Sequence, residues 1–195
     1  NKPIITYFDF SNSRRNYGSY DILNELAACY SQQIRVFGKS TVMFGLDQLE
    51  KEIEEEVYER HFVIFAGLNR AKKILSHSNT YKKSPRDRLI HMVEAGPEKG
   101  VNFIIWANEP ESFLEFYPEM LDSFDYRIGY ELPEDIFKKL FLSAHAESGD
   151  DNTAVSYSVD DGNMKIRIYD APLKSYVDKF IDQVDLCLEE TEFDE

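Results

Sequence analysis

The sequence has no GxxxxGK[ST] segment, no CxxC pair and no HExxH, and each absence removes a chemistry. Without the first, there is no backbone cradle and no lysine for nucleotide phosphates. Without the other two, the usual zinc spacings are missing. Cysteine is scarce. Cys29 and Cys187 stand far apart, each inside an apolar helical pattern, which fits buried thiols in a reducing cytoplasm better than a disulfide. The four histidines, His61, His77, His91 and His145, form no paired ligand motif, and structural or solvent-facing roles account for each. No secretory leader is visible, and no apolar run approaches the ~18 residues of a membrane span. A cytoplasmic chain with no membrane segment is expected.

Positive charge is also in short supply. Lys and Arg total 22 against 36 Asp and Glu, for a net charge of −14. Such a surface repels phosphate backbones, so the chain alone is a poor DNA or RNA binder. The charge is uneven, with acids crowding residues 47–59 and 189–195. Bases gather at Arg70, Lys72, Lys73, Lys82, Lys83, Arg86 and Arg88, the one stretch suited to a polyanion; a solvated loop is the plainer reading.

Against these absences stands a hydrophobic content of 43%, enough for 195 residues to bury the core of one domain, or of one domain with an appendage. Residues 62–66 and 101–107 are short apolar runs bounded by turn residues, as expected of parallel strands buried on both faces. A helix over 86–95 between them makes a βαβ unit. Residues 3–10 and 33–37 are further strand candidates. The spacing predicts helices over 20–30 (Ile22, Leu23, Leu26, Ala27 and Tyr30 on one face) and over 41–60 (stripe Leu46, Leu49, Ile53, Val57; Glu50 to Glu56 solvated). Residues 111–121 are expected to be helical, 125–132 a strand, and Pro133 to open a helix buried through Ile136, Phe137, Leu140 and Phe141. A Gly/Asp/Asn-rich loop over 145–153 precedes a hairpin turning at 160–163. A last helix carries the stripe Leu173, Val177, Phe180, Ile181, Val184 and Leu188. Trp106 and Phe113 are expected in the core, and Phe116 and Tyr117 as a partner patch. The fold class is therefore α/β, a doubly wound, mostly parallel sheet with a C-terminal hairpin and helix.

Ligands of open α/β sheets sit beyond the carboxyl ends of the strands, here Gly67-Leu-Asn-Arg70 and Asn108-Glu-Pro110. The strand ending Gly67-Leu-Asn-Arg70, the helix into Gly96-Pro-Glu-Lys-Gly100, the strand through Ala107, the Phe-Asp-Tyr-Arg127-Ile strand and the hairpin into Asp170-Ala-Pro172 follow one another in a set order. That order resembles the FtsK/SpoIIIE-type ATPases of the HerA–FtsK group of P-loop motors, and in particular their sequence-degenerate modules. The resemblance covers residues 3–172, leaving 173–195 as a helix and acidic tail. It implies a RecA-like P-loop domain within an ATP-driven, DNA-translocase-type parent, with ATP and Mg²⁺ as the parent's cofactors. Its partners would be other ATPase modules, with DNA reached through the parent. Gly67 and Leu68 fall where hydrolysing members carry the Walker B acids. Asn108 falls at the sensor Gln, Pro110 at the Pro that follows, and Arg127 at the arginine of the next strand. The Walker A unit would lie upstream of Asn1, making this chain part of a longer one.

Three functions follow as expectations. The first is a degenerate module for assembly, regulation or partner binding. The second is an ATPase completed by an upstream P-loop, with Asp9 or Glu109 standing in for the Mg²⁺ acid. The third is a Rossmann-like interaction domain with no nucleotide. In a minority arrangement residues 3–10 are the first of five strands in one sheet. Arg14, Arg15 and Gly18 then meet an anion at the helix near Tyr20.

Overall fold

The computed structural model describes residues 4–10, 33–55, 57–58, 60–71, 74, 84–142 and 152–169, with 175, 176, 178, 179 and 182. Four strands, β1 (Ile4–Asp9), β2 (Ile34–Gly38), β3 (His61–Ala66) and β4 (Val101–Trp106), form a parallel sheet in the order β2-β1-β3-β4. Helix α1 (Val42–Glu55) joins β2 to β3, and α2 (Pro85–Ala95) lies between β3 and β4. The fold is α/β, a four-stranded parallel sheet flanked by helices.

One sheet face carries the core. Phe8 stacks on Phe65 with ring centroids 4.5 Å apart and on Phe37 at 5.2 Å. Leu46, Leu49 and Ile53 of α1 and Leu89, Met92 and Val93 of α2 close over them. Each such side chain contributes about 1.5–3 kcal/mol by leaving water. The expected 20–30 helix, Arg14, Arg15, Gly18, residues 145–151 of the expected 145–153 loop, both cysteines, His77, His145 and the final stripe lie outside the described residues, while Thr153 already opens the strand that follows the loop.

Helix α2 starts where its sequence says it should. Ser84 Oγ accepts from Asp87 N at 3.1 Å, Asp87 Oδ2 accepts from Ser84 N at 3.3 Å, and Pro85 stands first in the helix. Ser84→Ala is expected to lower stability by about 1 kcal/mol in urea unfolding.

At the opposite, amino ends of the strands lies a buried polar cluster. Arg35 donates to both oxygens of Glu52, at 2.5 and 2.9 Å, and to Thr6 Oγ1 at 2.7 Å. Thr6 Oγ1 lies 2.9 Å from His61 Nε2. With Arg35 donating to it, the Thr6 hydroxyl is free to donate to Nε2 of a neutral His61, whose Nδ1 is buried without a partner. Burial first, and the Arg35 charge second, push the His61 pKa down to about 4. Burial pulls the Glu52 carboxyl upward, but hydrogen bonding and charge from Arg35 hold it below its ordinary value.

Several expectations are corrected. Helix α1 stops at Glu55, and Val57 is exposed rather than part of its stripe. Its acidic face is not simply solvated, because Glu52 holds Arg35 and Glu50 accepts from Arg88 at 2.6 Å. The 111–121 helix is two pieces, α3 (Pro110–Phe116) and a 3₁₀ turn (Pro118–Ser123), broken where Pro118 follows Tyr117. Tyr117 is fully buried, and so is no partner patch. Strand β4 is an edge, with Asn102, Ile104 and Trp106 exposed; Trp106 is not in the core. Strand β5 (Tyr126–Gly129) does not extend the parallel sheet. It pairs antiparallel with β6 (Thr153–Ser158), which pairs with β7 (Gly162–Arg167), so the five-stranded arrangement is not formed. Helix α4 (Glu134–Phe141) packs Phe137 and Phe141 on this second sheet, against Val155.

Candidate functional site

The strand order turns around between β1 and β3, and the carboxyl ends of strands at such a switch point are where α/β sheets hold ligands. The backbone ties these ends together. Phe10 N donates to Ala66 O at 2.9 Å, and Gly67 N to Trp106 O at 2.7 Å. Asp9, at the end of β1, stands in register with Ala66. Gly67 takes a left-handed conformation, φ 74°, and starts a 3₁₀ turn, Leu68–Arg70. That turn swings Leu68 into the core, where none of it is exposed.

Asn69 follows, 7% exposed, with neither side-chain amide atom hydrogen-bonded. Arg70 reaches Glu109 at 3.7 Å, its side chain one-third and that of Glu109 over half exposed. A pair so open to solvent is worth under about 1 kcal/mol, but it engages the carboxylate. Glu109 precedes α3, Ser112 donates to its Oε2 at 3.5 Å, and Asn108 is exposed beside it.

The structure thus gathers Asp9, Gly67 to Arg70, Asn108 and Glu109 at one edge of the sheet. Arg127 stands apart on β5. Its Nη1 donates to Leu140 O and its Nη2 to Leu121 O, each at 3.0 Å, and its guanidinium lies 5.1 Å from the Tyr157 ring centre. Arg127 braces α4 and the 3₁₀ turn against the second sheet. Between β4 and β5 opens a cleft of about 550 Å³, lined by Trp106, Asn108, Phe113, Arg127, Ile128 and Leu140 among others.

The tip of β3 carries a left-handed glycine and a buried leucine, and so offers no carboxylate for a metal ion. Among the described residues, no three of His, Cys, Asp and Glu are grouped to hold a metal ion. The basic stretch is also spoken for where it is described. Arg86 donates to Phe116 O and pairs with Glu119, each at 2.6 Å, and Arg88 pairs with Asp47 and Glu50. Lys72, Lys73, Lys82 and Lys83 lie outside the described residues. Among the described residues no helix is long and apolar enough to cross a membrane.

The exposed apolar wall of the cleft, Trp106 and Ile128 above all, escaped the sequence reading. One signal was present: Asn102, inside the apolar run of β4, marks a wet face shared by residues 104 and 106. No protein-family model matches the chain, and no curated protein sequence matches it.

Proposed function

We propose that the chain is a degenerate ATPase-type module, similar in plan to FtsK/SpoIIIE-type P-loop domains, that serves assembly, regulation or partner binding within an ATP-driven translocating parent. One observation carries this reading: the tip of β3 is Gly67 in a left-handed turn followed by Leu68 in the core. A carboxylate at that tip is what orients Mg²⁺ and water in hydrolysing P-loop enzymes. Glu109, one of the two acids expected to stand in for it, is paired with Arg70.

The test is ATP turnover by the purified chain. No Mg²⁺-dependent phosphate release above buffer is expected. Robust turnover that falls with Asp9→Asn or Glu109→Gln overturns the proposal. A second reading, an interaction domain with no nucleotide, is favoured by Arg127, whose guanidinium is committed to two backbone carbonyls. ATP and ADP titrations separate the two. A ligand that binds only the folded state stabilises it by roughly 2.7 kcal/mol at ~100 times Kd, and the second reading requires no such shift.

A further inference from the structure

Among the described residues, strand β4 pairs only with β3 and β5 only with β6, so each leaves one edge without a described neighbour. Ile105 to Asn108 and Tyr126 to Tyr130 line the same 550 Å³ cleft, and among the described residues no backbone hydrogen bond joins them. At ordinary rise, strand spacing and sheet thickness a strand residue fills roughly 160 Å³, so the cleft takes about three to four residues. That is the length of β5 itself. The walls suit such an occupant, because Trp106 is 53% and Ile128 66% exposed. Large apolar side chains held open along a strand edge invite pairing.

The charge around the cleft selects among occupants. Arg127 is the one charged residue lining the cleft; of the acids that flank the lining segments in sequence, Glu109, Glu119 and Asp122 pair with Arg70, Arg86 and Arg127, which leaves Glu111, Glu115, Asp125 and Glu131 to set the sign. A second copy of this chain, at −14, is repelled, while a segment with basic flanks is drawn in.

We propose that the cleft between β4 and β5 is a strand-docking site for an extended segment of a partner protein, apolar at alternate positions and basic at its ends. Main-chain bonds to the two edges supply affinity, and side-chain alternation supplies register. This is independent of any nucleotide at the carboxyl edge.

Trp106 is the chain's only tryptophan, so its emission reports on the cleft. The probe is a synthetic ten-residue peptide with a Val/Thr core and Lys ends. Two controls carry a central proline, which cannot donate to a ladder, or Glu ends. A saturable blue shift is expected with the Lys-ended peptide, and binding at least about tenfold weaker for both controls. Ile128→Lys is expected to weaken it similarly; Tyr126→Lys, on a side chain 73% exposed, serves if the first variant unfolds. No emission change up to millimolar peptide overturns the proposal, as does equal binding of all three peptides. A longer form of the polypeptide in which Trp106 emission is already blue-shifted, and which refuses the peptide, overturns it in favour of an intramolecular strand.

Discussion

Lowering the pH from 7 to 4 is expected to remove roughly 3 kcal/mol of folding stability through the single side chain of His61. The folded-state pKa of about 4 lies some 2.5 units below the ordinary 6.5, and each unit is worth 1.36 kcal/mol. Above pH 6.5 both states hold a neutral ring and the stability is fully present. Between 6.5 and 4 the unfolded chain binds a proton that the folded chain refuses, so stability falls as pH falls. Below 4 the loss is complete. The refusal has a structural cause. Burial comes first, because a charged ring would sit out of water; the new cation would also share the cluster with Arg35, with Glu52 the opposing charge. Glu52, whose carboxyl is held below its ordinary value, adds a further loss as the pH drops below that range. Urea unfolding of the wild type and His61→Gln, paired at each pH, cancels the relief of self-repulsion that acid brings to a chain of −14. The wild type is expected to lose stability relative to the variant between pH 6.5 and 4.5. A flat difference sinks the assignment.

That cluster shows where the sequence stopped being informative. Local signals were sufficient for β1 to β4, because continuous apolar runs bounded by turns have few other uses, and for α2, whose capping residues are adjacent in sequence. Partners distant in sequence decided the rest. Glu52 reads as one more solvated helix acid until β2 brings Arg35 beneath it, 17 residues away. Strand β5 inverts the ordinary pattern: Arg127 is inside while Tyr126 and Ile128 are outside, because the carbonyls of Leu121 and Leu140 satisfy the guanidinium. A reading that turns Ile128 inward extends the parallel sheet, whereas the antiparallel partnership with β6 is set by tertiary contacts.

The same division runs through the candidate site. The edge to search was legible, since topology sends ligands to the carboxyl ends of strands and glycine marks the turn there. Whether Glu109 is available depends on Arg70, 39 positions earlier, and no local pattern encodes that pairing. Nor does any pattern announce that the turn after Gly67 buries Leu68 and leaves the Asn69 amide without a partner. Replacing Gly67 by Asp would place a carboxylate at the tip of β3. It would do so on a left-handed backbone whose amide is bonded to Trp106 O, so backbone shape as well as composition opposes an acid there.

Gly100→Ala is expected to destabilise the chain by about 3 kcal/mol or more, for two separable reasons. Gly100 has φ 76°, a left-handed conformation that costs a residue with a Cβ about 1–2 kcal/mol. A Cβ there would also run into the carbonyl oxygen of Tyr58, which is backbone and has little room to yield. The approach is close for a reason. Tyr58 N donates to Lys99 O at 2.8 Å and His61 N to Gly100 O at 2.9 Å, so Tyr58 and His61 are laced to residues 99 and 100 just as β3 and β4 begin. Relieving the clash means stretching one of those bonds and shifting the start of both strands, and with them His61. Gly162 is the internal control. Its φ of 72° is nearly the same, but nothing lies within 4 Å of its Cβ position. Gly162→Ala should therefore show the conformational cost alone, about 1 kcal/mol. At 2–4 °C per kcal/mol for a chain of this size, thermal unfolding should separate the variants by roughly 4 °C or more. Equal midpoints would mean that the contact with Tyr58 relaxes freely and that β3 and β4 are not fixed at their starting ends.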